Sequence, residues 1–128
     1  MHAILLLAAM QLAAALPSRP AVENAVEKLD MSSFRNSLAQ QIRADGGRTL
    51  RQLGPQRFVW VKGTLEVWEA DGSWVRSFRP LPTVRGKIRL CFTDHAQNGG
   101  TYRASGALEL SGLRNGLYRA RSVRHRDC

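Results

Sequence analysis

From residue 57 to the last residue, apolar and polar side chains alternate with a period of two. Nothing between the alternating runs has the 3.6-residue spacing of a crossover helix. Strands joined directly in this way pair antiparallel, because parallel neighbours need a long crossover. In "FVWVKGTLEVWE" the alternation puts Val59, Val61, Leu65 and Val67 on one face. Phe58, Trp60, Lys62, Thr64, Glu66 and Trp68 take the other, and Gly63 in mid-run predicts a bulge or a sharp bend. Asp71-Gly72 predicts a hairpin with Glu69 opposite Trp74 and Leu65 opposite Phe78. In that register Arg76 breaks the pattern by falling opposite Val67. Pro80 and Pro82 are expected to end the strand, since neither donates to a ladder. Residues 84–93 form the next strand, residues 95–100 a loop, and Asn115-Gly116 a tight turn before a last strand at 117–123. Tyr102, Ala104, Gly106, Leu108 and Leu110 share one face of the strand between them.

The helical spacing lies upstream. Val22, Val26 and Leu29 form one run, and Phe34, Leu38 and Ile42 a second. Ser32 or Ser33 is expected to cap the second run and Gly46-Gly47 to stop it, while the first frays. The expected fold is α+β: one or two N-terminal helices packed on a curved antiparallel sheet of five or six strands. A small, partly open β-barrel is the alternative. The expected organisation is a signal peptide at 1–15, a helical segment at 16–56 and an antiparallel β region at 57–128 of the same domain.

The leader rests on "AILLLAAMQLAAAL", an uncharged stretch from Ala3 to Leu16. It is shorter than the ~20 apolar residues that span a bilayer core. Ala13-Ala14-Ala15 supplies an A-x-A cleavage pattern, and Pro17 stops a continuing helix. A periplasmic or secreted protein with no transmembrane span in the mature chain is expected.

Two cysteines occur, Cys91 and Cys128. In "KIRLCFTD", Ile88, Leu90 and Phe92 fall on one side, while Cys91 sits on the charged side with Lys87 and Arg89. An even count in an exported chain reads as a disulfide. A Cys91–Cys128 bond would fold the basic tail over the Lys87/Arg89 face and explain the outward cysteine. Asp94, Glu109 and Asp127 are the nearest counter-charges, and at least one is expected among those arginines. A zinc site from Cys91, His95, His125 and Cys128 is the competing use of the same residues.

The charge is lopsided. Residues 1–45 carry four basic and four acidic groups, and residues 46–128 carry fifteen basic and six acidic, so the whole +9 sits in the β region. Such a field draws polyanions irrespective of their sequence. Sixteen of the nineteen basic residues are arginine, a bias that genome composition alone also produces. Trp60, Lys62 and Trp68 are expected to share a face, joined by Arg79, as a stacking surface flanked by cations. Burial of that face under the Phe34/Leu38/Ile42 helix is the competing expectation. Lys87, Arg89, Arg119, Arg121, Arg124 and Arg126 complete the candidate binding set. No nucleophile elbow, zinc-protease, phosphate-loop or dinucleotide motif occurs. Asp94 and His95 are adjacent on a strand, where neighbouring side chains point apart.

In length, leader and single disulfide the chain resembles small exported bacterial proteins such as the periplasmic lysozyme inhibitors. "YRASGAL" at 102–108 is similar to a Ser-Gly-Ala motif of one such family. One short motif does not define a family. The expected function is a non-enzymatic exported protein that binds an anionic envelope polymer or nucleic acid through a basic surface. It needs no cofactor and no metal. The alternative is a protein-directed inhibitor or accessory subunit using the loops at 95–100 and 112–116.

Overall fold

The computed structural model describes residues 15–128, so the expected signal segment lies outside the described residues apart from Ala15. Six antiparallel strands follow one another in a meander: β1 (Gln56–Val61), β2 (Thr64–Glu69), β3 (Trp74–Val84), β4 (Lys87–Ala96), β5 (Arg103–Arg114) and β6 (Leu117–Val123). Their order in the sheet is their order in the chain. Two short helices precede them, α1 (Arg19–Glu27) and α2 (Ala39–Asp45). This is the expected α+β architecture, a curved antiparallel sheet packed on helices. It is an open sheet, since β1 and β6 are not neighbours.

Lys62-Gly63 is not a bulge. It is the two-residue turn between β1 and β2, with φ of 48° and 80°. Both central residues of a type I′ hairpin turn need positive φ, which glycine adopts freely and lysine rarely. The reversal crosses the two faces over: Phe58 pairs with Val67 and Trp60 with Leu65, while Val59 and Val61 pair with Glu66 and Thr64. Phe58 and Trp60 therefore lie on the core side, and Val59 and Val61 are exposed on the other. Arg85-Gly86, with φ of 53° and 75°, repeats this geometry and splits the strand expected at 84–93.

β3 runs through Pro80 and Pro82 instead of ending there, with Pro80 opposite Leu90 of β4. β2 pairs with β3 only as far as Leu65 opposite Phe78. Beyond that point β3 has a strand partner on one side only, the edge condition in which proline is tolerated.

α1 begins at Ser18, whose side chain accepts the Ala21 amide, and Pro20 suits the first turn. Val22, Ala25 and Val26 project on one face into the core, followed by Leu29, all fully buried. The first run is thus anchored and not frayed. The two valines and the leucine are worth about 1.5–3 kcal/mol each on burial. The helix crosses the inner face of the sheet: Glu23 accepts the Trp60 indole N–H at β1, and Lys28 and Asp30 bond Tyr118 of β6 through the backbone. The Ala120 amide donates to Ser33 Oγ, so residues 28–33 cover the free edge of β6. A covered edge cannot recruit another chain.

The second helical run shrinks to Ala39–Asp45, closed by Gly46 in the left-handed conformation. Ser32 and Ser33 cap nothing in it. The Ser32 amide and hydroxyl donate to Asp30 Oδ1, and Ser33 Oγ donates to the Asp30 carbonyl. Asn36 Nδ2 donates to the Met31 and Phe34 carbonyls, and its Oδ1 accepts the Leu38 amide. Local side-chain bonds of this kind compete with helix formation. Phe34 still reaches the core, edge-on to Phe92 with centroids 5.1 Å apart.

Arg76 does fall opposite Val67, on the inner face. It is 1% exposed and meets Asp94, which is fully buried. Asp94 also accepts from the Ser37 amide at 2.7 Å, from Ser37 Oγ at 2.9 Å and from the Trp74 indole. The ion pair thereby ties the loop before α2 to β3 and β4.

Candidate functional site: the outer face of the sheet

Both helices contribute to the core on the inner side. The opposite face carries the alternate residues of every strand. In register across it run Arg79, Cys91, Ala107 and Val123, then Leu81, Arg89, Glu109 and Arg121. A further row holds Arg57, Trp68, Val75, His95 and Arg103. Period two is what assembles these charges: those on one strand lie an even number of residues apart and so project to the same face.

Glu109 is the hub of the basic part. Arg89 approaches its carboxylate to 2.7 Å, Arg121 to 2.8 Å and Lys87 to 3.9 Å. Glu109 is 5% exposed, whereas the Arg121 side chain is 68% exposed. Hydrogen bonds from Arg89 and then Arg121 hold the Glu109 carboxyl below the usual carboxylate range, against the opposing effect of burial. One carboxylate fixes two guanidinium groups in place and leaves the cluster with excess positive charge. Of the three expected counter-charges, Glu109 takes this part. Asp94 faces the interior, and Asp127 lies 3.8 Å from His125 and 3.9 Å from Arg126.

Cys91 and Cys128 are bonded, with Cα atoms 5.3 Å apart. Cys91 is 7% exposed, packed with Leu81, Ala107 and Val123 in a small second core on the outer face. Arg79 Nη2 donates to the Asp127 carbonyl at 2.7 Å, which holds the tail over the cysteine. The cysteine on the charged side is explained by the segment that covers it. The tail lies against Arg79 and Cys91. A cleft of about 480 Å³ opens between it and β5, lined by Val123, Arg124, His125 and Arg126 among others. The disulfide removes both sulfur ligands from the competing zinc set. Among the described residues no group of three or more His, Cys, Asp or Glu is placed to hold a metal.

The candidate set divides. Arg79, Lys87, Arg89 and Arg121 converge on the outer face, and Arg124 and Arg126 border it from the tail. Arg119 has the same strand parity but turns to Asp30, 3.7 Å away. Lys62 sits in the β1–β2 turn. Trp60 and Trp68 do not share a face. Trp60 is inside, bonded to Glu23 and under the Arg19 guanidinium at 5.0 Å. The element that covers it is α1, not the Phe34/Leu38/Ile42 segment. Trp68 is outside, its indole N–H donating to Glu66 at 3.0 Å. Arg57 and Arg103 join the outer row of Trp68 and are legible from strand parity once the turns are placed.

The fold and this face define an α+β protein with a helix-lined inner side and a basic, partly aromatic outer side. Comparison with protein-family models, curated proteins and solved structures returns no match. No helix among the described residues is long and apolar enough to cross a membrane.

Proposed function

We propose that the protein is an exported, non-enzymatic binding protein whose outer sheet face holds an anionic polymer of the cell envelope. Nucleic acid would satisfy the same phosphate chemistry. The observation that carries the reading is the cluster in which Arg89, Arg121 and Lys87 share the single carboxylate of Glu109. Preorganised guanidinium groups bind phosphate or sulfate with little loss of side-chain entropy. The tail adds Arg124 and Arg126, and Trp68 offers a ring for stacking on sugars or bases. A periplasmic or secreted location is part of the proposal. The uncharged leader supports it, as does a disulfide of the kind that persists in oxidising compartments.

The test is the salt dependence of heparin and lipopolysaccharide binding by the wild type and by a variant with Lys87, Arg121, Arg124 and Arg126 changed to Gln. The slope of log affinity against log salt should fall by about 0.7–0.9 for each phosphate or sulfate group that the variant no longer neutralises. An unchanged slope would assign the charge to composition. A second reading, a protein-directed inhibitor or accessory subunit, is favoured by a different observation on β5.

A further inference from the structure

β5 is longer than its partner at one end. β6 stops at Val123, opposite Ala107. Residues 103–106 of β5 are paired to β4, with Gly106 opposite Phe92 and Arg103 opposite His95, but have no strand on the other side. The cause is the disulfide. Cys128 is tied to Cys91 on the outer face of β4, so the chain after Val123 leaves the sheet plane instead of continuing along β5. Backbone groups of an antiparallel strand point alternately to its two neighbours, and in this register those of Arg103 and Ser105 point to the open side, so two N–H and two C=O groups are left at a cleft of about 450 Å³. At ~3.4 Å per residue in an antiparallel strand the four-residue stretch is about 14 Å long.

The cleft has a definite chemistry. Phe34, Tyr102 and Val123 supply apolar surface, and Arg35 and Arg103 supply charge. No acidic side chain lines it, and neither arginine has a carboxylate partner among the described residues. Ala104 and Gly106 leave the inner side open; a Cβ at Gly106 would meet nothing within 4 Å. Free strand edges bind extended peptides through the backbone, with alternate side chains read by the flanking surface. The edge of β6 is covered by residues 28–33, whereas residues 103–106 of β5 border an open cleft.

We propose that residues 103–106 capture an extended acidic segment of a partner protein as an added strand, in the place β6 would occupy if it continued. Its apolar residues would face Phe34 and Tyr102, and its carboxylates Arg103 and Arg35. A second copy of this chain is the poorer occupant. Pairing β5 edges about a two-fold axis would bring Arg103 and Arg35 of each copy towards the same residues of the other.

The probe is an acetylated, amidated peptide with the sequence Glu-Val-Asp-Val-Glu, titrated into the ¹⁵N-labelled protein. Amide signals of residues 103–106 should shift together with those of Phe34, Arg35 and Tyr102. Arg103→Glu and Arg35→Glu should each weaken binding about tenfold, with unchanged circular dichroism. Arg85→Glu in the β3–β4 turn, outside the cleft, changes net charge equally and should have little effect. Three results would overturn the proposal: shifts confined to Arg89, Arg121 and their neighbours, equal weakening by Arg85→Glu, or no shift at millimolar peptide. Edge shifts that appear without peptide as protein concentration rises would assign the edge to self-association instead.

Discussion

Replacing Arg76 with Met removes a cation that is 1% exposed and leaves the fully buried carboxylate of Asp94 without a positive neighbour. Arg76 Nε lies 3.3 Å from Asp94 Oδ1 but is not aligned for a hydrogen bond, so the contact is mainly Coulombic. Nη2 donates to Ser37 at 2.9 Å and Nη1 to Glu69 at 3.2 Å. Breaking a buried pair by removing one partner costs about 3–5 kcal/mol. Three donors stay on Asp94, two from Ser37 and one from Trp74, and these offset part of the loss. The expected destabilisation is therefore at the lower end, about 3 kcal/mol. For a domain of this size it lowers Tm by roughly 10–18 °C. Urea titration measures it as a fall in midpoint at constant m-value. The double variant with Asp94→Leu should cost about 2 kcal/mol less than the sum of the single changes, because no lone charge is left behind. A single-variant loss under about 1 kcal/mol, or strict additivity, would refute the idea that Arg76 is retained to neutralise Asp94.

The Cys91–Cys128 bond has a sequence separation of 37. Chain entropy then predicts that Cys128→Ser costs about 4 kcal/mol. The loss should be larger at low salt, where repulsion between Arg124, Arg126 and the Arg79/Arg89 surface is unscreened, and urea melts at two ionic strengths check this. Glu109 has a lowered pKa in the fold, so its contribution to stability is present above the ordinary carboxylate range and is lost as pH falls through the depressed value. Thermal melts of wild type and Glu109→Gln should therefore differ at neutral pH and converge on acidification.

Strand periodicity was readable because one face of each strand packs on a core, and that dictates the residue at every second position. Leu65, Val67, Phe78, Leu90, Phe92 and Leu108 are all buried where alternation puts them. Asp71-Gly72 and Asn115-Gly116 announced their turns because Asp and Asn tolerate turn geometry. Lys62-Gly63 and Arg85-Gly86 did not, since a long basic side chain at positive φ carries no such signature. Missing the first of these turns puts Trp60 on the wrong face. Phe34, Leu38 and Ile42 have helical spacing, yet the bonds of Asp30 and Asn36 to nearby backbone hold the start of that run in turns. Arg76 looks anomalous within its own strand, yet it is satisfied by Asp94 of the neighbouring strand through a register that local sequence does not contain.

Binding of anionic polymer to the outer face is tested most directly by following arginine Nε–Hε resonances during titration with a heparin hexasaccharide. Arg89 and Arg121 should shift and broaden together at low salt, with Arg76 unmoved in the core, and the effect should fade as salt is raised. Shifts that leave Arg89 and Arg121 untouched, or binding that does not weaken with salt, would contradict a polyanion site on this face.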